Sequence, residues 1–313
     1  MNQPCIFLCQ SVAVFTMKTA LLFPGQGAQV VGMGKKLYEL EPKAKELYER
    51  ANTILGFDLA KICFEGPQEE LNKTNICQPA ILVTSLVAFY VMQEKGQLPE
   101  WSASAGLSLG EYTALVAAGA LSFDDAVRLV ERRGAFMQED CNRTKSTMAS
   151  VLGLDREKIQ SVCTAVGGIV GIANLNSLDQ IVISGELNAV QMASAKLTEA
   201  GAKRVIPLKV AGAFHSPLMK PAQDKLKTEL THVNIKTPVK DVISNVTADY
   251  VRNPEQIRDN LSRQVASPVL WADSMQKLVN DGYDNFYEIG PGKVLSGLIK
   301  KVSDKVTVAN YEV

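Results

Sequence analysis

The 313 residues suffice for one large domain, or for a large domain with a smaller insertion. Hydrophobic residues make up 46% and charged residues 21%, ordinary values for a globular protein that can bury a core without disulfide staples. Basic and acidic residues balance at 33 each, so no overall field points to nucleic acid.

Two local basic clusters, Lys300/Lys301/Lys305 and Lys203/Arg204/Lys209, read first as solvated surface and second as landing points for an acidic partner. The cysteines Cys5, Cys9, Cys63, Cys77, Cys141 and Cys163 form no CxxC pair, and only two histidines are present. That pattern disfavours zinc and fits free thiols in a reducing cytosol. Residues 1–16 lack the basic start and cleavage site of a signal peptide and are too short to span a bilayer. They read as a dispensable, disordered tail. The apolar run Ala80–Met92 is also too short, so no membrane span is expected.

Thr19–Phe23 predicts a short buried strand ended by Pro24-Gly25. A helix-prone stretch follows from Lys35 to Leu55. Pro79 suits the first turn of a helix running to Lys95 and stopped by Gly96. The small residues Ser102–Gly106 suggest a tight strand entering a turn, followed by a helix over Leu109–Ala118. Ser122 offers a cap for a helix through Gln138. From there the rhythm changes. Strand Thr147–Leu152, helix Asp155–Ala165, strands Ile169–Asn174 and Gln180–Ser184, helix Glu186–Ala200 and strand Lys203–Lys209 give the order β-α-β-β-α-β. Asp241–Val246 and Asn285–Ile289 read as further strands. The expected fold class is α/β. A larger α/β-hydrolase-like domain with a parallel sheet (residues 17–140 and 213–313) is interrupted by a ferredoxin-like α+β unit (residues 141–212).

Gly106-Leu107-Ser108-Leu109-Gly110 fits the G-x-S-x-G nucleophile elbow. Its glycines permit a sharp strand-to-helix turn that exposes Ser108, and the Leu109 amide is then free to help bind an oxyanion. A serine hydroxyl needs a base. His215, in Ala213-Phe-His-Ser-Pro217, follows the last strand of the inserted unit, at a domain junction where clefts form. His232 lies in an ordinary polar stretch. Gly25–Gly27 is not a dinucleotide fingerprint, because Val30 stands at the third glycine position. Gly292-Lys293 is not a phosphate loop, because Val294 replaces the hydroxyl residue.

Gly25-Gln-Gly-Ala-Gln29, Gly106-Leu-Ser-Leu-Gly-Glu111, Arg133-Gly134, Ala213-Phe-His-Ser-Pro217 and Gly290-Pro-Gly292 occur in that order. With these motifs, from about Met17 to the C-terminus, the chain resembles the malonyl-CoA:acyl carrier protein transacylases of bacterial type II fatty-acid synthesis. The resemblance implies a malonyl ester on Ser108, with His215 as base. It implies that His215 is oriented by the Gln264 backbone carbonyl, and that the Gln26 amide joins that of Leu109 in the oxyanion hole. Arg133 matches the clamp for the substrate carboxylate, a bidentate role that suits a guanidinium. Its neighbour Arg132 points elsewhere on the helix. Phe214 matches a residue that crowds the malonyl α-carbon. The implied partners are malonyl-CoA and acyl carrier protein, with no cofactor, no metal, no membrane and a monomeric state. The family usually has a histidine where this chain has Leu107. A serine hydrolase, a trans-acting supplier of a polyketide synthase and a non-catalytic carrier-binding module stand as alternatives.

Overall fold

A computed structural model describes residues 18–311 and 313. The expected tail, Cys5 and Cys9 lie outside the described residues. The first strand, β1 (Lys18–Phe23), reads Lys-Thr-Ala-Leu-Leu-Phe and is buried after its first residue. Strand side chains alternate between faces. Leu21 and Phe23 therefore enter one core cluster, while Ala20 and Leu22 enter a second across the sheet. A continuous apolar run is what a parallel strand covered on both faces requires.

Helices α1 (Lys35–Leu40) and α2 (Pro42–Leu55) divide the helix-prone stretch that the sequence reads as continuous. Pro42 cannot donate a hydrogen bond and holds Glu41 extended, at φ −119° and ψ 117°. After α3 (Leu59–Glu65) and α4 (Gln68–Leu71) comes α5 (Thr74–Glu94). It begins five residues before the position at which Pro79 suggests a start, and Pro79 lies inside it. Burial of Thr74, Ile76, Cys77 and Gln78 outweighs the local preference of the residue before a proline. Among the described residues α5 is the one helix long and apolar enough to cross a membrane, but 89% of its apolar stretch is buried inside the protein. It is the central core helix.

Strand β2 (Ala103–Gly106) leads into α6 (Gly110–Ala117), and α7 (Phe123–Arg143) follows, five residues longer than expected. Ser122 caps α7 by accepting a hydrogen bond from the Asp125 amide at 3.0 Å. Next come β3 (Ser146–Leu152), α8 (Arg156–Ala165), β4 (Val170–Ser177), β5 (Gln180–Glu186), α9 (Leu187–Glu199) and β6 (Arg204–Pro207). The β4–β5 connection is only Leu178-Asp179, tighter than the five-residue loop the sequence suggests. A 3₁₀ turn (Pro217–Met219) precedes α10 (Lys220–Thr231). The chain closes with β7 (Asp241–Val242), α11 (Pro254–Gln264), α12 (Trp271–Asn280), β8 (Tyr283–Ile289), α13 (Val294–Val302) and β9 (Thr307–Tyr311).

The parallel sheet has order β7-β2-β1-β8-β9, and the antiparallel sheet has order β4-β5-β3-β6. The second is the ferredoxin-like order, with its own core of Val151, Ile159, Ile183 and Leu197. Helix α7 runs three residues past position 140, where the sequence suggests a boundary. The segment after α11 meets the antiparallel sheet at Val269, whose N–H donates to Ala173 at 2.8 Å and whose carbonyl accepts from Leu175 at 2.9 Å. Residues 264–269 thus link α11 to the edge strand β4.

Candidate active site

The turn between β2 and α6 is forced by close packing. A Cβ on Gly106 would lie 1.9 Å from the Gly110 carbonyl carbon, and one on Gly110 would lie 2.1 Å from the Phe23 oxygen. No side chain fits at either position. Ser108 sits at the apex with φ 53°, a left-handed conformation that non-glycine residues adopt at a cost. Asn245 holds the strained turn from both sides. Its Oδ1 accepts from the Ser108 amide at 2.6 Å, and its Nδ2 donates to the Gly106 carbonyl at 2.8 Å.

His215 also has a left-handed backbone, φ 57°, and its N–H donates to the Val265 carbonyl at 3.1 Å. The ring spans the gap between two segments. Nδ1 lies 2.8 Å from the Gln264 carbonyl oxygen, and Nε2 lies 2.8 Å from Ser108 Oγ. A carbonyl only accepts, so Nδ1 carries the proton and Nε2 turns its lone pair to the serine hydroxyl. Burial, reinforced by the nearby Arg133 charge, pulls the imidazole down to about 4. The ring is therefore neutral, and competent as a base, throughout the physiological range.

This sets one expectation. With only two histidines in the chain, a His232→Gln variant leaves a single imidazole to follow by NMR. The His215 Cε1–H resonance should still report the neutral ring at pH 5.5, and a midpoint near the ordinary 6.5 would refute the buried arrangement. Stability follows with a defined sign. As pH falls from about 6.5 to about 4, the unfolded chain takes up a proton that the folded one refuses, so stability declines across that window.

Arg133, on α7, is 1% exposed. One terminal nitrogen donates to Gln78 Oε1 at 2.6 Å. The other donates to Gln264 Oε1 at 2.9 Å and Ser108 Oγ at 3.0 Å. Its Nε has no partner, and the guanidinium lies 5.5 Å from the centre of the Tyr112 ring. Among the described residues it makes no ion pair, although burial disfavours an uncompensated charge. A buried guanidinium held by neutral amides, with no carboxylate within ion-pair distance, has the chemistry to hold an anion. Arg132, one position earlier, is exposed and reaches Glu131. The structure therefore brings Ser108, His215, Arg133 and Gln264 into one cluster.

Gln26, Leu107, Phe214 and Asn174 line a cleft of about 210 Å³ that opens on Ser108 and His215, with Met137, Met148, Val182, Leu208, Val294 and Leu298. Among the described residues the amides of Gln26 and Leu109 donate to no protein acceptor. Leu107 packs against the second core cluster and gives the cleft an apolar wall beside the serine. Gln78, Glu111, Asn174 and Asn245 are parts of this site to which sequence reasoning assigns no role. Glu111 carries the one available signal, as the sixth residue of the elbow motif. His232 lies elsewhere, beside Arg128 and Glu229.

Residues 20–313 match the family model described as the acyl transferase domain. The chain is 49% identical to the malonyl CoA-acyl carrier protein transacylase of Bacillus subtilis (strain 168) over 92% of each chain. It is 44% identical to the protein of that name from Escherichia coli (strain K12), over 93% of this chain and 94% of the other. Among solved structures, it is similar to a malonyl-transacylase in complex with its type II PKS acyl-carrier protein. The TM-score is 0.91 and identity is 41%, covering 94% of this chain and 96% of that one. It is likewise similar to the transacylase of Streptococcus pneumoniae, with TM-score 0.90 and 45% identity, covering 94% and 96%.

Proposed function

The chain belongs to the acyl transferase domain family, among the malonyl CoA-acyl carrier protein transacylases, and from that premise we propose that it moves malonyl from coenzyme A to the phosphopantetheine thiol of an acyl carrier protein through an ester on Ser108. The observation that carries this reading is a Ser108–His215 pair lying against a buried guanidinium whose hydrogen bonds go to neutral groups.

In the first half-reaction His215 Nε2 takes the Ser108 proton as Oγ attacks the thioester carbonyl. Charge gathers on the carbonyl oxygen, where the Gln26 and Leu109 amides would receive it. The C–S bond breaks, and the leaving sulfur takes the proton from His215. In the second half-reaction His215 takes the proton of the pantetheine thiol, the sulfur attacks the ester, and Ser108 Oγ recovers its proton. The Gln264 carbonyl keeps the imidazolium oriented at each stage. Arg133 would exchange its bond to Ser108 Oγ for the two oxygens of the malonyl carboxylate, freeing the serine as it binds the cargo. Phe214 at the cleft wall fits the role of narrowing the space beside the malonyl α-carbon. Both half-reactions need only groups of this chain, a thioester donor and a thiol acceptor. The proposed setting is fatty-acid chain elongation in the cytosol, where the buried thiols of Cys63, Cys77, Cys141 and Cys163 persist.

Mass spectrometry tests acylation, site and acceptor together. Incubation with malonyl-CoA should add one malonyl group at Ser108, and holo carrier protein should remove it and gain the same mass. Release of free malonate, indifferent to the carrier, would instead mark a hydrolase.

A further inference from the structure

Glu111 stands in the first turn of α6 and is 2% exposed. Its Oε2 accepts from Gln264 Nε2 at 2.6 Å and from the Asn245 amide at 3.1 Å. Gln264 Nε2 also donates to the Ser108 carbonyl at 2.9 Å. With Nε2 facing two acceptors, Oε1 is the atom left to meet Arg133. A glutamine amide has nearly the same shape when flipped, so only its partners decide which end points where. Flipped, the amide would present its N–H₂ to a guanidinium, donor against donor, and Arg133 would lose one of the two amide oxygens that hold it. Burial raises the Glu111 carboxyl to about 7, but Oε2 faces two N–H donors and accepts in either protonation state, so Glu111 biases the amide against that flip. Glu111 is not within ion-pair distance of Arg133, although the two charges attract through space, and its hydrogen-bonded link to the guanidinium runs through Gln264.

We infer that Glu111 is a positioning residue for acyl-group choice: by fixing the Gln264 amide it fixes the Arg133 guanidinium toward Ser108, and thereby sets the preference for acyl groups that end in a carboxylate. This rests on the acyltransferase reading above. Glu111 also reaches the elbow through Asn245, and a purely structural brace of that kind would slow every acyl donor alike.

The test is kcat and KM for malonyl-CoA and acetyl-CoA, with holo carrier protein as acceptor. In Glu111→Met, which has no acceptor, the malonyl-to-acetyl ratio of kcat/KM should fall roughly tenfold, mainly through a higher malonyl KM. Glu111→Gln, which keeps an acceptor oxygen, should restore most of that ratio. If Glu111→Met does not fold, Gln264→Met removes the same amide while keeping the backbone carbonyl, and the same fall in ratio is expected. Equal losses for both donors, or an unchanged ratio, would overturn the inference. A wild-type protein that transfers neither acyl group to the carrier would remove the acyltransferase reading and this inference together. A malonyl-selective wild type with ratio-neutral variants would remove this inference alone.

Discussion

Ser108→Ala protein incubated with malonyl-CoA is expected to show no mass increase, and its transfer rate should fall by roughly 10⁴-fold or more. His215→Ala should fall comparably, because the hydroxyl and the imidazole act as a unit across 2.8 Å. For the same reason the double variant should be little slower than either single one, each having already removed the whole device. A malonyl adduct surviving on the Ser108→Ala protein would end the assignment of that serine. Strong additivity in the double variant would show that the two groups do not cooperate.

Arg133→Ala is expected to lower malonyl transfer by about 100-fold or more while acetyl transfer changes far less. The size comes from the loss of two charge-assisted hydrogen bonds in a buried place, where no water substitutes readily. Acetyl-CoA serves as an internal control. Removing the arginine leaves Gln78 Oε1 and Gln264 Oε1 without their donor, and any resulting damage to the fold would reduce both donors. Parallel losses in a variant that keeps the wild-type melting temperature would refute the clamp.

The first experiment targets residues that local sequence already exposes, whereas Arg133 is reached only through the family resemblance. The elbow is legible because two glycines, a small-residue strand and a following helix are all neighbours in the chain, and the steric need for those glycines is local. His215 is legible because there are only two histidines to choose from. Asn245 is not, because it meets the elbow from 137 positions away, and an asparagine in a loop has many uses. Gln78 is hidden for a second reason. It sits one residue before Pro79, a position read as lying outside the helix, whereas packing carries α5 back to Thr74 and points Gln78 at Arg133. Strand β9 also escaped, since none of its five residues is fully buried at the sheet edge and they carry little apolar signal. The inserted antiparallel unit reads well because its strands and helices differ clearly in period, although Ser177 extends β4 further than its polar sequence suggests.

Gln264 contributes to the site through two chemically separate ends. Its side chain serves the arginine, while its main-chain oxygen serves the histidine. A mutational scan reads side chains only. Every substitution at position 264 keeps a carbonyl there, so under the proposed mechanism the group that orients the base is silent in such a scan, and variants at that position should report on cargo choice instead. Under that mechanism no point change at position 264 deletes the group that orients the base, so cargo preference there could change while the chemistry beside it stays in place.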